Sequence, residues 1–305
     1  MIDNGLLVQM LLGALLGLSV YLPLAAGQLS LATPAFYAIG GLVAALLSTG
    51  PLAPTLVADG SGGQAPGLFP LSSLALEVGL AALVVGLLAL ALGQAVLRLR
   101  GIYLAIATIA LVEIVRVAIL NLPFTGGAQG IFGIPQPFQD PWGYVLLTAA
   151  VLALVSWCVQ RLELTSLGRK MAAIRDDELA ARSLGIATTR VKLTAFVASA
   201  VVAGITGVIA AHYLNTWNAR QGTFDLAITT LAFVILGGSR SWLGPVIGGL
   251  VLTALPELLR PVGDARLVVF GLVILLGPVL FSQGLITPAL LERLGAPLPR
   301  GRRPT

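Results

Sequence analysis

Apolar positions along this chain do not alternate with polar ones. They fall in long runs separated by short polar stretches. A run of about 18 or more apolar residues is long enough to cross a bilayer as a helix. Nine segments of helix-like length are predicted, at 6–26, 28–49, 71–97, 102–120, 143–160, 193–213, 224–238, 243–259 and 266–282. A membrane β-barrel would instead alternate apolar and polar residues over about ten positions per strand. The expected fold class is therefore all-α: a polytopic membrane helical bundle of about 8–10 spans, some broken or re-entrant. Pro23 and Pro34 interrupt the first two segments, and Gly237-Gly238 ends the short seventh one. Irregular backbone at membrane depth survives only where protein buries it or where it lines a cavity. Those breaks are candidates for a pathway, with functionless kinks as the equal alternative. Gly13/Gly17 and Gly244/Gly248 have GxxxG spacing, which predicts close helix packing and no function by itself.

Composition points the same way. Hydrophobic residues make up 57% and charged ones 10%, against about 25% charged in a soluble domain. A soluble fold this poor in charge could not cover its core, and the mean hydropathy of +0.96 agrees. The net charge of +5 does not imply a nucleic-acid partner. Its basic residues sit between apolar runs and at the C-terminus, where the positive-inside rule puts them, so the expected surroundings are membrane lipid. The single cysteine, Cys158, and the single histidine, His212, exclude an internal disulfide and make a metal site improbable. No metal or cofactor is expected. The start, Met1-Ile2-Asp3-Asn4, lacks the positive n-region of a cleaved leader, so the first run is expected to stay as a membrane helix.

Charge also orients the chain. Residues 50–69 carry only Asp59, and residues 121–142 only Asp140. Residues 161–192 carry seven basic residues, Arg161, Arg169, Lys170, Arg175, Arg182, Arg190 and Lys192, against Glu163, Asp176, Asp177 and Glu178. The tail adds Arg293, Arg300, Arg302 and Arg303. The 161–192 loop, the Arg98/Arg100 turn and the tail are thus expected inside, and the two poorly charged loops outside. The N-terminus falls outside if the first two segments both cross. The expected organisation is a permease-like membrane domain over 1–292, containing the cytoplasmic loop 161–192, and a basic cytoplasmic tail over 293–305.

The loop is the most informative stretch. Residues 168–192 read GRKMAAIRDDELAARSLGIATTRVK. Asp176 suits an N-cap, with Asp177 and Glu178 in the first turn, where the helix dipole favours negative charge. Arg182 stands four residues after Glu178, a stabilising spacing. Gly185 suits the left-handed residue that ends a helix. Met171 and Ile174 share one face of the preceding turn. This is a capped, compact element. One reading makes it a coupling helix docked in a cytosolic ATPase, with Ala180 and Ala181 allowing close approach. The other makes it an amphipathic helix lying on the membrane surface. The residues alone do not separate the two.

The stretch 175–185, RDDELAARSLG, resembles the cytoplasmic EAA-type loop of ABC importer permeases, with Glu178, Ala180, Ala181 and Gly185 at its acidic, small and glycine positions. RLRGIYLAIATIALVEIVR at 98–116, TGGAQGIFGIP at 125–135, LGGSRSWLGPVIGG at 236–249 and LPELLR at 255–260 resemble the LivM-type permease subunit of branched-chain amino acid ABC importers, in family order. The resemblance implies a multi-pass protein of the bacterial inner membrane that forms half of a translocation pathway for leucine, isoleucine or valine. It implies a homologous H-type permease partner, two cytosolic ATPases docked on the coupling loops, and a periplasmic substrate-binding protein. Coupling would fall to Arg175, Asp176, Asp177, Glu178, Ala180, Ala181 and Gly185. No GxxxxGK[ST] motif is present, so ATP hydrolysis is expected in partner subunits and no enzymatic role in this chain. Some relatives are associated with urea or other small polar substrates. Ser30-Leu31-Ala32-Thr33-Pro34 departs from the family pattern near the expected pathway, so substrate identity stays open. Phe281-Ser282-Gln283-Gly284 also departs, near the cytoplasmic end.

Glu113 and Arg116 lie three apart in one span and share a face. A buried structural pair is the simpler reading; a pathway or inter-subunit contact is the other. Glu77, Asp225, Glu257 and Arg260 fall near predicted span ends and are expected to snorkel or cap. His212 is expected as an interfacial residue. Gly126, Gly127, Gly130 and Gly133 suggest a tight outer turn rather than a phosphate loop, because no strand precedes them. Asp176, Asp177 and Glu178 lack the second acidic cluster that a magnesium-dependent membrane enzyme would need. A stand-alone secondary transporter or channel remains the rival among transport proteins.

Overall fold

The computed structural model describes residues 4–49, 71–138, 140–263 and 265–280. The loop 50–69, the Phe281–Gly284 motif and the tail 293–305 lie outside the described residues. The chain is helical almost throughout: α1 Asn4–Ala25, α2 Thr33–Thr49, α3 Leu71–Val96, α4 Ile102–Asn121, α5 Pro141–Leu164, α6 Ser166–Asp176, α7 Glu178–Ser183, α8 Thr188–Leu214, α9 Phe224–Gly237, α10 Leu243–Leu258 and α11 Ala265–Leu280. Two short strands, β1 Ile131–Phe132 and β2 Thr216–Trp217, pair antiparallel beside the α4–α5 and α8–α9 connections.

Six described helical stretches are long and apolar enough to cross a membrane, and three shorter apolar helices accompany them. The nine together match the nine predicted segments. The boundaries differ where local chemistry competes with hydropathy. Residues 28–32 are not helical, because α2 begins only at Thr33, just before Pro34. The eighth helix starts at Thr188 rather than 193, taking Arg190 and Lys192 into its first turns.

α8 is the central post, packed against α1, α2 and α3. Its buried face is lined with small residues, among them Ala200, Ala203, Gly204, Gly207 and Ala210. A Cβ on Gly40 would strike the backbone of Gly204, and one on Gly207 the carbonyl of Tyr37. α2 and α8 therefore meet backbone to backbone, as small residues permit in lipid. Both GxxxG pairs act the same way. Gly13 and Gly17 face Gly249 and Pro245 of α10, and Gly244 and Gly248 face Gly238 and Phe233 at α9. Peripheral helices do the opposite. α3, α4 and α5 present Leu83, Leu87, Ile114, Leu146 and Leu154 outward, as a surface meeting hydrocarbon does.

The α1–α2 break is buried, and its backbone still needs partners. Pro23 O accepts from Ala26 N at 3.0 Å and Gln28 N at 2.9 Å, and the Thr108 hydroxyl of α4 accepts from Leu31 N at 3.0 Å. The Ser19 hydroxyl lies 3.2 Å from that of Thr33 and donates to Ser199 O at 3.0 Å. The broken segment is thus tied to α1, α4 and α8.

Candidate coupling site and intramembrane charges

The basic region 161–192 is structured along most of its length. Its first residues finish α5, and two short helices follow before α8. Thr165 caps α6, accepting from Gly168 N at 3.4 Å. α6 buries Met171 and Ile174 in a small cluster with Ala26, Ala181, Val191 and Ala195. That cluster joins α6 and α7 to the α1–α2 break and to the foot of α8. The contact with the break is very close: Gly27 has φ +71°, and a Cβ there would lie 3.0 Å from the Arg175 Cα. On the other side the Arg175 Nη1 donates to Ser239 O, 3.2 Å away in the α9–α10 turn. α6 therefore touches both interrupted regions of the bundle.

α7 is closed at both ends by its own sequence. Its N-cap is Asp177, whose carboxylate accepts from Leu179 N at 2.8 Å and Ala180 N at 3.0 Å. This corrects the assignment of Asp176, which is the last residue of α6. The shift follows from the turn: Asp177 has φ −156° and ψ 111°, the extended backbone an N-cap adopts, and its carbonyl starts the helix by accepting from Ala181 N at 3.0 Å. At the far end Gly185 has φ +78° and donates to Arg182 O at 2.9 Å, while Ile186 N donates to Ala181 O at 3.1 Å. Those two bonds form a Schellman motif, and the Ile186–Ala181 contact is its usual hydrophobic closure.

Glu178 accepts from Arg182 at 2.7 Å and, unforeseen in the sequence, from Lys192 of α8 at 2.8 Å. Partial burial pushes its carboxyl up. The Lys192 hydrogen bond and the charges of Lys192, Arg182 and Arg100 outweigh that, so it is held below the ordinary carboxylate value. Arg182 also donates through Nε to Thr188 at 3.1 Å.

The two alanines part company. Ala180 is exposed, whereas Ala181 is 2% exposed and packs inward, so only the first is available for approach from outside. The outer face instead carries Leu179, 70% exposed, and Leu184, 80% exposed. Hydropathy alone could not single these leucines out, because the inward Met171 and Ile174 are equally apolar.

Two charged pairs lie in the spans. Glu113 and Arg116 pair at 2.8 Å, as their spacing predicts. The reading of a buried pair is corrected, because the side chains are 43% and 36% exposed on this chain. Glu77 is the reverse. It is 1% exposed and does not snorkel; its Oε2 lies 2.6 Å from Nε2 of His212, which is itself fully buried. Nδ1 of His212 is 2.7 Å from Pro135 O, which can only accept, so Nδ1 carries a hydrogen. One proton is then shared between Nε2 and the carboxylate. Tyr144 OH donates to His212 O at 3.1 Å, and Asn215 Nδ2 to Ile134 O at 2.6 Å. Together they clasp the 131–136 loop onto α3 and α8. Glu257 and Arg260 form an exposed pair at 2.8 Å at the end of α10, as expected of span-end residues.

The profile of the family described as "Branched-chain amino acid transport system / permease component" matches residues 1–277. The chain is 34% identical over 221 residues to the high-affinity branched-chain amino acid transport system permease protein LivM of Salmonella typhimurium, covering 63% of this chain and 52% of that protein. The Escherichia coli LivM matches over the same extent at the same identity. The ribose import permease protein RbsC of Escherichia coli is 29% identical over 168 residues, 52% of this chain and 51% of that protein. The chain thus spans about half the length of the curated relatives it matches. No solved structure matches it.

Proposed function

Because the chain belongs to the branched-chain amino acid transport system permease-component family, we propose that it forms half of the translocation pathway of an ATP-driven importer for leucine, isoleucine and valine. It sits in the bacterial inner membrane beside a homologous permease, and a periplasmic binding protein delivers its substrate. The observation that carries this reading is the double-capped helix α7, seated on α6 with Leu179 and Leu184 turned away from the bundle. An amphipathic surface helix would bury its leucines in lipid and needs no rigid seat. A helix that receives force from a moving ATPase needs both a rigid seat and an apolar outer contact. Arg175, Asp176, Asp177, Glu178, Ala180 and Gly185 then form the transmitting element with the two leucines, and Ala181 fixes it to the bundle.

The test is reconstitution with and without the partner permease, the ATPases and the binding protein. Leucine uptake is expected only from the full assembly, driven by ATP. Uptake by the isolated chain would refute the ABC reading in favour of a channel or secondary transporter. Competition by urea or ribose, without competition by isoleucine or valine, would move the substrate to a small polar molecule. Cysteines placed in 161–192, in a Cys158→Ser background, are expected to resist an impermeant thiol reagent applied from the periplasm.

A further inference from the structure

Glu113 is the twelfth residue of α4, so it lies about 17 Å along a helix of about 30 Å, one bilayer core. A lone charge at that depth is costly and is ordinarily paired or turned to the bundle interior. The pair at 2.8 Å offsets part of this, yet both side chains stay open on one side. Their place in the bundle is defined by their neighbours on the same stripe of α4. One turn inward, Ala105 and Ile109 pack with Ala227 and Leu231 of α9. One turn outward, Leu120 packs with Ala38 and Ala219. Glu113 and Arg116 therefore lie along the edge of α4 that borders the 219–231 segment. Phe224 and Ile228 are exposed on α9.

The bonding of the pair is incomplete in a particular way. Arg116 holds Oε2 of Glu113 through Nε alone. Among the described residues neither of its Nη groups has a hydrogen-bond partner, nor does Oε1 of Glu113. A guanidinium with its Nη fork open is shaped for a carboxylate, and a carboxylate oxygen beside it suits an ammonium group. A hydrocarbon tail can supply neither. The zwitterionic end of an α-amino acid supplies both, and an apolar side chain would meet Phe224 and Ile228.

We propose that Glu113 and Arg116 form a mid-membrane station for the ammonium and carboxylate groups of the transported α-amino acid, on the edge of α4 that borders α9. This rests on the reading of the chain as an amino-acid permease. Arg116 takes the carboxylate through its Nη fork, Glu113 takes the ammonium, and their mutual bond re-forms once the substrate leaves. A self-paired site is neutral when empty, so it survives in the membrane between turnovers.

The experiment uses the fully assembled importer in proteoliposomes, with leucine-loaded binding protein outside. Arg116→Gln and Glu113→Gln should each lower the ratio of leucine uptake to ATP hydrolysis by at least about tenfold, the scale of one lost charged hydrogen bond. Arg116→Lys, which keeps charge without the fork, should fall between. Glu113→Cys, in a Cys158→Ser background, should react with a water-soluble sulfonate thiol reagent and be protected during leucine turnover. The proposal is overturned if the single variants only reduce the amount of assembled complex, the double variant restores it, and uptake per complex stays at the wild-type level. Inertness of Glu113→Cys to the reagent overturns it as well. If the wild-type assembly takes up no leucine, isoleucine or valine, the amino-acid reading has failed and the station with it. A failure confined to the variants removes the station alone.

Discussion

At the N-terminal end of α8 Glu178 is held by Arg182 and Lys192, four and fourteen residues away, with its side chain still 22% exposed. At the C-terminal end of α8 Glu77 is held by His212, 135 residues away, with the two side chains 2% and 0% exposed. The first arrangement is local, wet and redundant: removing one cation leaves another. The second is long-range and dry. The coupling role proposed for α7 asks one end of the bundle to move and the other to keep its shape, and the two kinds of pair suit those two demands. Wet pairs contribute little and yield easily, whereas an unpaired charge in a dry site is strongly destabilising.

The strongest way to break this comparison is at the dry pair. His212→Ala leaves the Glu77 carboxylate without its partner and is expected to cost about 3–5 kcal/mol. The readout is the thermal midpoint of the purified chain in detergent and the amount inserted in membranes. Glu77→Met combined with His212→Leu should recover part of the loss, because no carboxylate is then left alone in the dry site. If the double variant is as damaged as the single one, the pair is not what secures the 131–136 loop.

A smaller effect is expected at the wet end. Gly185→Val forces a β-branched residue to φ +78°, at about 1–3 kcal/mol of local strain. Insertion should be kept, because the site lies outside the bilayer, while ATP hydrolysis and uptake separate in the assembled importer. Glu178→Lys should act in the same direction by setting three cations against one another. Normal transport by both variants would reduce α7 to a passive interfacial helix.

Smaller again is the cap. Asp177→Ala should cost about 1 kcal/mol, the usual worth of an N-cap, and speed amide hydrogen exchange across 178–184. Asp176→Ala, a residue upstream of the cap, should leave that exchange unchanged. Equal effects from the two would mean that the cap assignment is wrong.

The least effect is on pH. Since the folded carboxyl of Glu178 is depressed, its contribution is fully present above the unfolded value of about 4.3 and is lost as pH falls through the folded one. Exchange in α7 should therefore be flat from about pH 8 to pH 5, after correction for intrinsic rates, and rise only below about pH 4. Glu178→Gln should remove that rise. A change centred near neutrality would point to some other group.

What could be read from the sequence divides along the same line. The nine apolar segments, the GxxxG contacts, the Glu178–Arg182 pair and the Gly185 terminus all depend on residues within one helix or its ends. Periodicity and backbone preference report on those directly. The cap moved by one residue because two adjacent aspartates offer equal chemistry, and only backbone geometry chooses between them. The Glu77–His212 pair, the Lys192 partner of Glu178 and the outward turn of Leu179 and Leu184 depend on which helix lies beside which. Nothing local encodes that. The exposure of Glu113 and Arg116 was hidden for a related reason: a spacing of three places both on one face without saying what the face meets.

Where Gly27 passes Arg175, main chain meets main chain with no side chain between them. Side chains are the springs of a protein: they change rotamer and absorb a displacement before it travels. A joint without them has almost no backlash. A shift of α6 by a few tenths of an ångström would reach the α1–α2 break undiminished, much as a toothed gear transmits what a belt would lose to slip.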